Sequence, residues 1–384
     1  MAALMLAFGC SHHTGTDKAQ TVKIGVIMPL TGVFALYGKK VLVGIKFGKD
    51  RINKNGGVNG KQIELVVMDN QSKPAVTAQA FNKLVQKYRT PVVIGAYSTL
   101  NTLALKPEAK RLKVPVVTPT ATNNVVTERN QYVFRTCFND SYQARAMAVY
   151  ALRYRNLRRV GILLNVDEDG TYSRDLGWAF NRDFQALGGS IIRTEGYYIK
   201  SDNFVPQLKK IAAAKCQALF APCYVQNAAA IIRQGRKIGY RGALLGSDGW
   251  DEPELLVGCG NKPGINFFTS MFSAQQNTPQ VKAFVAAMKK LTKRTPGICE
   301  AQGFDAIGVV ASAMKQGITP RDVRTGLYRT ANYPGVTGSI SINSQRNAVK
   351  QIFIKSIVTD AAGNRSMRLV KILTPQEIKR AFSK

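Results

Sequence analysis

A chain of 384 residues exceeds the roughly 250 to 300 that one hydrophobic core serves, so two domains are expected, and 45% hydrophobic with 20% charged residues is a globular composition. After the first ten residues no segment approaches the ~18 continuous apolar residues of a spanning helix. The excess of 54 Lys and Arg over 23 Asp and Glu, a formal +31, is spread without a run of five or six, zinc-finger spacing or an aromatic RNA-binding motif. It reads as a diffuse solvated face suited to an anionic membrane surface or an acidic medium, and specific nucleic-acid binding is not expected.

The chain opens with an apolar stretch, Met1 to Gly9, that ends at Cys10 and is followed by a polar, turn-rich segment to Gln20. It looks like the tail of a bacterial lipoprotein signal, with Cys10 as the acylated residue; the alternative is a disordered apolar N-terminus. Export and attachment to a membrane face are the expectation, with residues 1–20 as signal and tether.

From Thr21 short β-branched runs alternate with longer amphipathic patterns. Strands are predicted at Lys23 to Met28, Gln62 to Met68, Val92 to Ile94, Val116 to Thr118, Val160 to Leu164, Ser190 to Glu195, Ala218 to Ala221, Gly242 to Leu245 and Asn266 to Met271. Helices are predicted between them. The one from Lys39 to Lys54 puts Val41, Ile45, Gly48 and Ile52 on one face and stops at Asn55-Gly56-Gly57. Others span Val76 to Tyr88, Ser141 to Tyr154, Arg174 to Leu187, Asn203 to Ala214, Asn227 to Ile238 and Val281 to Leu291. This order predicts an α/β architecture of parallel sheets flanked by helices, in two series ending near Phe138 and Thr269. Helices at Gln302 to Lys315 and Arg321 to Thr330 follow, then β segments at Ser339 to Asn343, Lys350 to Val358 and Arg368 to Ile372.

Two hydrophobic strands end in hydroxyls: Val92 to Ile94 runs into Tyr97-Ser98-Thr99, and Val116 to Thr118 into Thr120-Ala121-Thr122. The carboxyl ends of parallel strands, beside helix N-termini, are where small ligands dock. Neutral hydroxyls and amides hold a molecule but supply no base, which points to binding. GxSxG, GxxxxGK[ST] and HExxH are absent, and the histidines, His12 and His13, fall in the expected tether, so Ser/His and Cys/His mechanisms are not expected. Without Cys10, five cysteines remain, Cys137, Cys216, Cys223, Cys259 and Cys299, with no CxxC pair and no zinc-ligand spacing. Disulfides and buried free thiols are both open readings.

The motifs from Lys23-Ile24-Gly25-Val26-Ile27-Met28-Pro29-Leu30-Thr31-Gly32 to Tyr37-Gly38, then Ile52 to Gly60 and Val67 to Ser72, resemble the opening of the periplasmic binding proteins for branched-chain amino acids. The likeness continues through Ile94-Gly95, Thr118-Pro119, Arg135-Thr136, Gly246-Ser247-Asp248-Gly249 and Phe304-Asp305-Ala306. The resemblance implies the two-lobed type I periplasmic-binding-protein fold, with residues 21–139 plus 270–353 as lobe 1 and 140–269 plus 354–384 as lobe 2. It further implies a protein that captures a small amino acid or related zwitterion by hinge closure and presents it to the permease and ATPase subunits of an ABC importer, without cofactor or metal. The same fold also serves ligand-sensing receptors and regulators, which is the alternative function.

Carried over by position, the resemblance implies that a ligand carboxylate meets Thr99 and Thr122 with the backbone around Thr120 and Ala121. Ser98 or Thr99 can equally be a helix N-cap. It implies that the ammonium meets Asp248 and the Thr120 carbonyl, and that Tyr37, Tyr172 and Tyr224 wall the cleft. Tyr97 joins them by adjacency. An Asp-Gly pair alone reads as a turn, and aromatics after strands read equally as packing.

Overall fold

The computed structural model describes residues 20–167, 171–198 and 200–383. The expected acylation site Cys10, the tether and the Glu168-Asp169-Gly170 part of the turn before Tyr172 lie outside the described residues.

The first sheet is parallel. It is built from β1 (Thr21–Met28), β2 (Gln62–Asp69), β3 (Val93–Gly95), β4 (Val116–Thr118) and β5 (Val133–Arg135), in the order β2-β1-β3-β4-β5. The helices α1 (Ala35–Lys54), α2 (Pro74–Gln86) and α3 (Thr99–Leu112) connect its first strands. Its short central strands are buried on both faces, which is why they read as continuous Val and Ile runs. α1 ends where predicted, with Gly56 and Gly57 at φ +93° and +75°.

The second lobe begins with α4 (Asp140–Val149), which continues as a π-helical turn to Tyr154, and β6 (Arg159–Asn165). There follow α5 (Thr171–Ala186), β7 (Ser190–Tyr197), α6 (Val205–Ala213), β8 (Ala218–Phe220), α7 (Val225–Lys237), β9 (Ala243–Gly246), α8 (Glu254–Gly258) and β10 (Asn266–Ser270). The chain then adds α9 (Pro279–Thr292), α10 (Ile298–Met314) and α11 (Pro320–Tyr328), and the small antiparallel sheet β11 (Tyr333–Gly335), β12 (Gly338–Ile342) and β13 (Ala348–Val349). β14 (Ile352–Thr359) and β15 (Arg365–Leu373) return to the second sheet as antiparallel edge strands, giving β15-β14-β10-β9-β8-β6-β7, and α12 (Pro375–Phe382) closes the described chain.

α10 returns to lobe 1 and packs on α1 with the backbones in contact. A Cβ on Gly44 would stand 2.0 Å from the Glu300 carbonyl oxygen, and one on Gly303 2.1 Å from that of Val41. The chain thus passes between sheets after β5, after β10 and before β14. Buried Lys350 joins two of these passages, donating to the Thr136 carbonyl (3.2 Å) and bonding the Thr337 hydroxyl.

Candidate functional site

The hydroxyl-bearing ends of β3 and β4 are tied together by their own side chains. Thr118 donates to the Ala96 carbonyl (2.9 Å) and Thr120 to that of Tyr97 (2.7 Å). Ser98 caps α3, accepting from the Asn101 amide at 3.3 Å, which leaves Thr99 as the first helical residue. Beneath the second loop lies Arg135, fully buried. Its guanidinium donates to the carbonyls of Ala121 (3.1 Å), Thr122 (2.6 Å) and Asn123 (2.7 Å). Three carbonyls drawn onto one cation fix the path of the loop that carries Thr120 and Thr122.

On the opposite lobe, β9 ends at Gly246 and the chain turns tightly through Asp248. Tyr172, at the start of α5, donates its hydroxyl to Asp248 Oδ1 (2.6 Å) and stands 2.7 Å from the Ser247 hydroxyl. A Cβ at Gly249 would come 2.5 Å from the Cys223 carbonyl oxygen and 3.2 Å from the Tyr172 hydroxyl, so the turn closes this tightly only with glycine. Enclosure in the cleft pushes the Asp248 carboxyl up to about 6. Asp140 is buried between Asp248 and Thr122, whose side chain hydrogen-bonds it, and burial together with the charge of Asp248 raises it to about 7. Gln143 bridges the two, donating to Asp140 Oδ1 (2.9 Å) and accepting from the Asp248 amide (3.4 Å).

Aromatic rings fill the space between the jaws. Tyr37 stacks on Tyr97 with ring centres 4.9 Å apart, and Tyr172 on Tyr224 at 5.2 Å. The Tyr37 hydroxyl crosses the cleft, accepting from the Val225 amide (3.1 Å) and donating to Gln226 (3.2 Å). Burial raises the pKa of Tyr37, Tyr97 and Tyr172 well above the ordinary phenol value, so all three stay neutral. Polar contacts also span the jaws. Lys40 of α1 pairs with Glu252 (2.5 Å) and Glu254 (2.9 Å), and Asn123 donates to Asp175 (2.8 Å). Burial opposes the charge on Lys40, but the two carboxylates outweigh it and raise its pKa.

Between these groups the closed lobes leave a small cavity of about 30 Å³ lined by Tyr37, Tyr97, Thr99, Thr120, Ala121, Thr122, Tyr172, Tyr224, Asp248, Gly249, Glu252, Ile298, Cys299 and Gln302. Every candidate from the sequence except Ser98 is on that wall; Ser98 faces a neighbouring, more apolar cavity that shares Thr99, Tyr172 and Tyr224. Sequence reasoning missed Glu252, Ile298, Cys299 and Gln302. Glu252 sits four residues past Asp248 in the same turn, and the other three form the first turns of α10, whose start was predicted at Gln302 instead of Ile298.

All five described cysteines are free and buried, so no disulfide joins them. Burial pushes the thiols of Cys137 and Cys223 up to about 12, which makes both poor nucleophiles. Among the described residues no cluster of His, Cys, Asp and Glu is arranged to hold a metal ion, and no helix is long and apolar enough to cross a membrane.

Two α/β lobes closed on a polar cavity, with hydroxyls on one jaw and a carboxylate on the other, define a substrate-binding protein that encloses a small molecule. The profile of the periplasmic binding protein family matches residues 21–362, and the chain belongs to that family. It is 28% identical to a Leu/Ile/Val-binding protein homologue of Brucella melitensis, over 74% of this chain and 76% of the relative. Among solved structures it resembles a leucine-binding protein of Thermotoga maritima MSB8, at 30% identity and a TM-score of 0.84, covering 93% of this chain and 100% of that one. It also resembles a branched-chain amino acid transporter substrate-binding protein of Streptococcus pneumoniae in complex with isoleucine, at 27% identity and a TM-score of 0.83, covering 91% and 99%. A third is a solute-binding protein of an ABC transporter from Rhodopseudomonas palustris BisB5 in complex with 3,4-dihydroxybenzoic acid, at 25% identity and 0.81, covering 92% and 97%.

Proposed function

We propose that this substrate-binding protein captures a zwitterionic amino acid between its lobes and delivers it to an ABC importer on the outer side of a bacterial membrane. The observation that carries the reading is the opposition, across one cavity, of Thr99 and Thr122 to Asp248. The hydroxyls and the N-terminal amides of α3 suit a carboxylate, and Asp248 suits an ammonium. The relatives named for leucine, isoleucine and valine support this class of ligand. An aromatic carboxylate of the kind bound by the Rhodopseudomonas protein suits the hydroxyl jaw alike, but it brings no cation to Asp248 and leaves that enclosed carboxylate without a counter-charge, at a cost of about 1–2 kcal/mol.

Capture proceeds by closure. The ligand docks on the first lobe through Thr99 and Thr122, and the second lobe then adds Asp248, Tyr172 and Tyr224, with the chain passages after β5, after β10 and before β14 as the hinge. The Met1 to Cys10 stretch suits acylation at Cys10 as the tether, which incorporation of labelled fatty acid, lost in Cys10→Ser, tests. A thermal-shift screen of amino acids, amides and aromatic carboxylates tests the ligand class. A ligand at 100 times its dissociation constant stabilises by about 2.7 kcal/mol. Amino acids are expected to shift the melting temperature and aromatic carboxylates are not; the reverse overturns the reading.

A further inference from the structure

If the cleft holds an amino acid by its carboxylate and ammonium, the rest of the cavity receives the side chain, and the following inference rests on that reading. The remaining wall consists of Tyr37, Tyr97, Ile298, Cys299, Gln302 and Glu252. An aliphatic side chain calls for an apolar wall, because a buried polar atom left without a partner costs free energy comparable to a lost hydrogen bond or more. Here the wall contains a carboxylate. Glu252 is 1% exposed, Lys40 takes its Oε2, and Oε1 has no well-formed hydrogen bond among the described residues. The thiol of Cys299 hydrogen-bonds this carboxylate, but a thiol is a weak donor and leaves room for a stronger one. Gln302 leaves the wall polar as well, since its amide donates to the thioether of Met271 (3.0 Å), itself a weak acceptor.

We propose that the side-chain end of this cavity selects an amino acid with a neutral hydrogen-bond donor, a hydroxyl or a carboxamide, which donates to Oε1 of Glu252. A cationic side chain fits less well. Lys40 already neutralises the same carboxylate from its other oxygen and is held there by Glu254 too, so a second cation would be placed beside the first. Burial raises Glu252 to about 7, with Lys40 opposing the rise, so above neutral pH it is ionised and can only accept. The donor must therefore come from the ligand.

Calorimetric titration of the whole protein at pH 8 with near-isosteric pairs isolates this term: threonine against valine, and asparagine against leucine, with lysine alongside. Threonine or asparagine is expected to bind about ten- to a hundredfold more tightly than its aliphatic partner, the range for a hydrogen bond to a charged group. Glu252→Leu alone would strand Lys40, so the variant is the pair Lys40→Met with Glu252→Leu, in which the polar preference disappears or reverses. Glu254→Gln weakens the same ion pair without touching the cavity, and there both affinities fall together with their ratio kept. Valine or leucine binding as well as its polar partner overturns the proposal and leaves the amino-acid reading standing. So does lysine binding most tightly, or a ratio unchanged in the double variant. No binding by any amino acid overturns both.

Discussion

Replacing Asp248 by asparagine keeps the size of the side chain and an oxygen for the Tyr172 hydroxyl, which stands 2.6 Å from Oδ1, while removing the charge. Removing one member of a buried, hydrogen-bonded charge pair costs about 2–5 kcal/mol of binding, a loss of roughly thirty- to several-thousandfold. The closed form should move the other way. A carboxyl held at about 6 instead of its ordinary 3.8 is disfavoured as the anion. Taken at full value this is about 3 kcal/mol at pH 8, and the partial exposure of Asp248 reduces it to about 1–2 kcal/mol. The variant should therefore close more readily without ligand, and scattering should show a smaller radius of gyration than for the unliganded wild type. Calorimetry with an amino acid and with the matched acid lacking the amino group separates the causes. The amino acid should lose nearly all its affinity and the simple acid should bind no worse than before. Equal losses for both would refute the assignment of Asp248 to the ammonium.

Binding should weaken on acidification, because an ammonium needs ionised carboxylates and Asp248 and Asp140 take up protons near 6 and 7. Below pH 6 the affinity should fall about tenfold per unit, with proton release on binding seen as heats that vary with the buffer. The stability of the closed fold responds in the opposite sense. These pKa values are raised on folding, so the stability the groups contribute is largest at low pH and is lost as pH rises from about 4 to 7; the denaturation difference between wild type and Asp248→Asn should shrink toward pH 5. Lys40→Met should destabilise the closed protein by about 3–5 kcal/mol by leaving Glu252 buried without its cation, and Lys40→Met with Glu252→Leu should recover most of that in a urea titration. Gly44→Ala drives a methyl into the Glu300 carbonyl and should cost at least about 1–3 kcal/mol, while the affinity of the protein that remains folded stays within a factor of two or three. Arg135→Met releases the three carbonyls of residues 121–123 and should weaken both ligand binding and the fold, where a loss of stability alone would remove Arg135 from any part in positioning the site.

Much of this was legible in the sequence because parallel strands buried on both faces are written as unbroken Val and Ile runs, such as Val116-Val117, and their helices as amphipathic repeats. The hydroxyls after β3 and β4 were legible for the same reason: a strand end followed by polar residues has one place to go in such a sheet. β5 was missed, since Val133-Phe134-Arg135 ends in a charge that the structure buries under the loop it binds. α12 was missed because its start rests on a local device, Thr374 and Glu377 capping each other, rather than on a long apolar stripe. Glu252 and Cys299 illustrate a different limit. Each reads as an ordinary residue in its own element, and only the meeting of α10 with the turn after β9 makes them neighbours in the cavity. Ser98 and Thr99 were indistinguishable as cap and ligand donor until the Ser98 bond to the Asn101 amide assigned the cap.

The most direct measurement is a crystal structure of the complex with the amino acid that gives the largest thermal shift. Its carboxylate is expected on Thr99, Thr122 and the amides at the start of α3, and its ammonium within hydrogen-bond distance of Asp248. A ligand in the reverse orientation, or one bound outside the cavity between the lobes, would contradict that assignment.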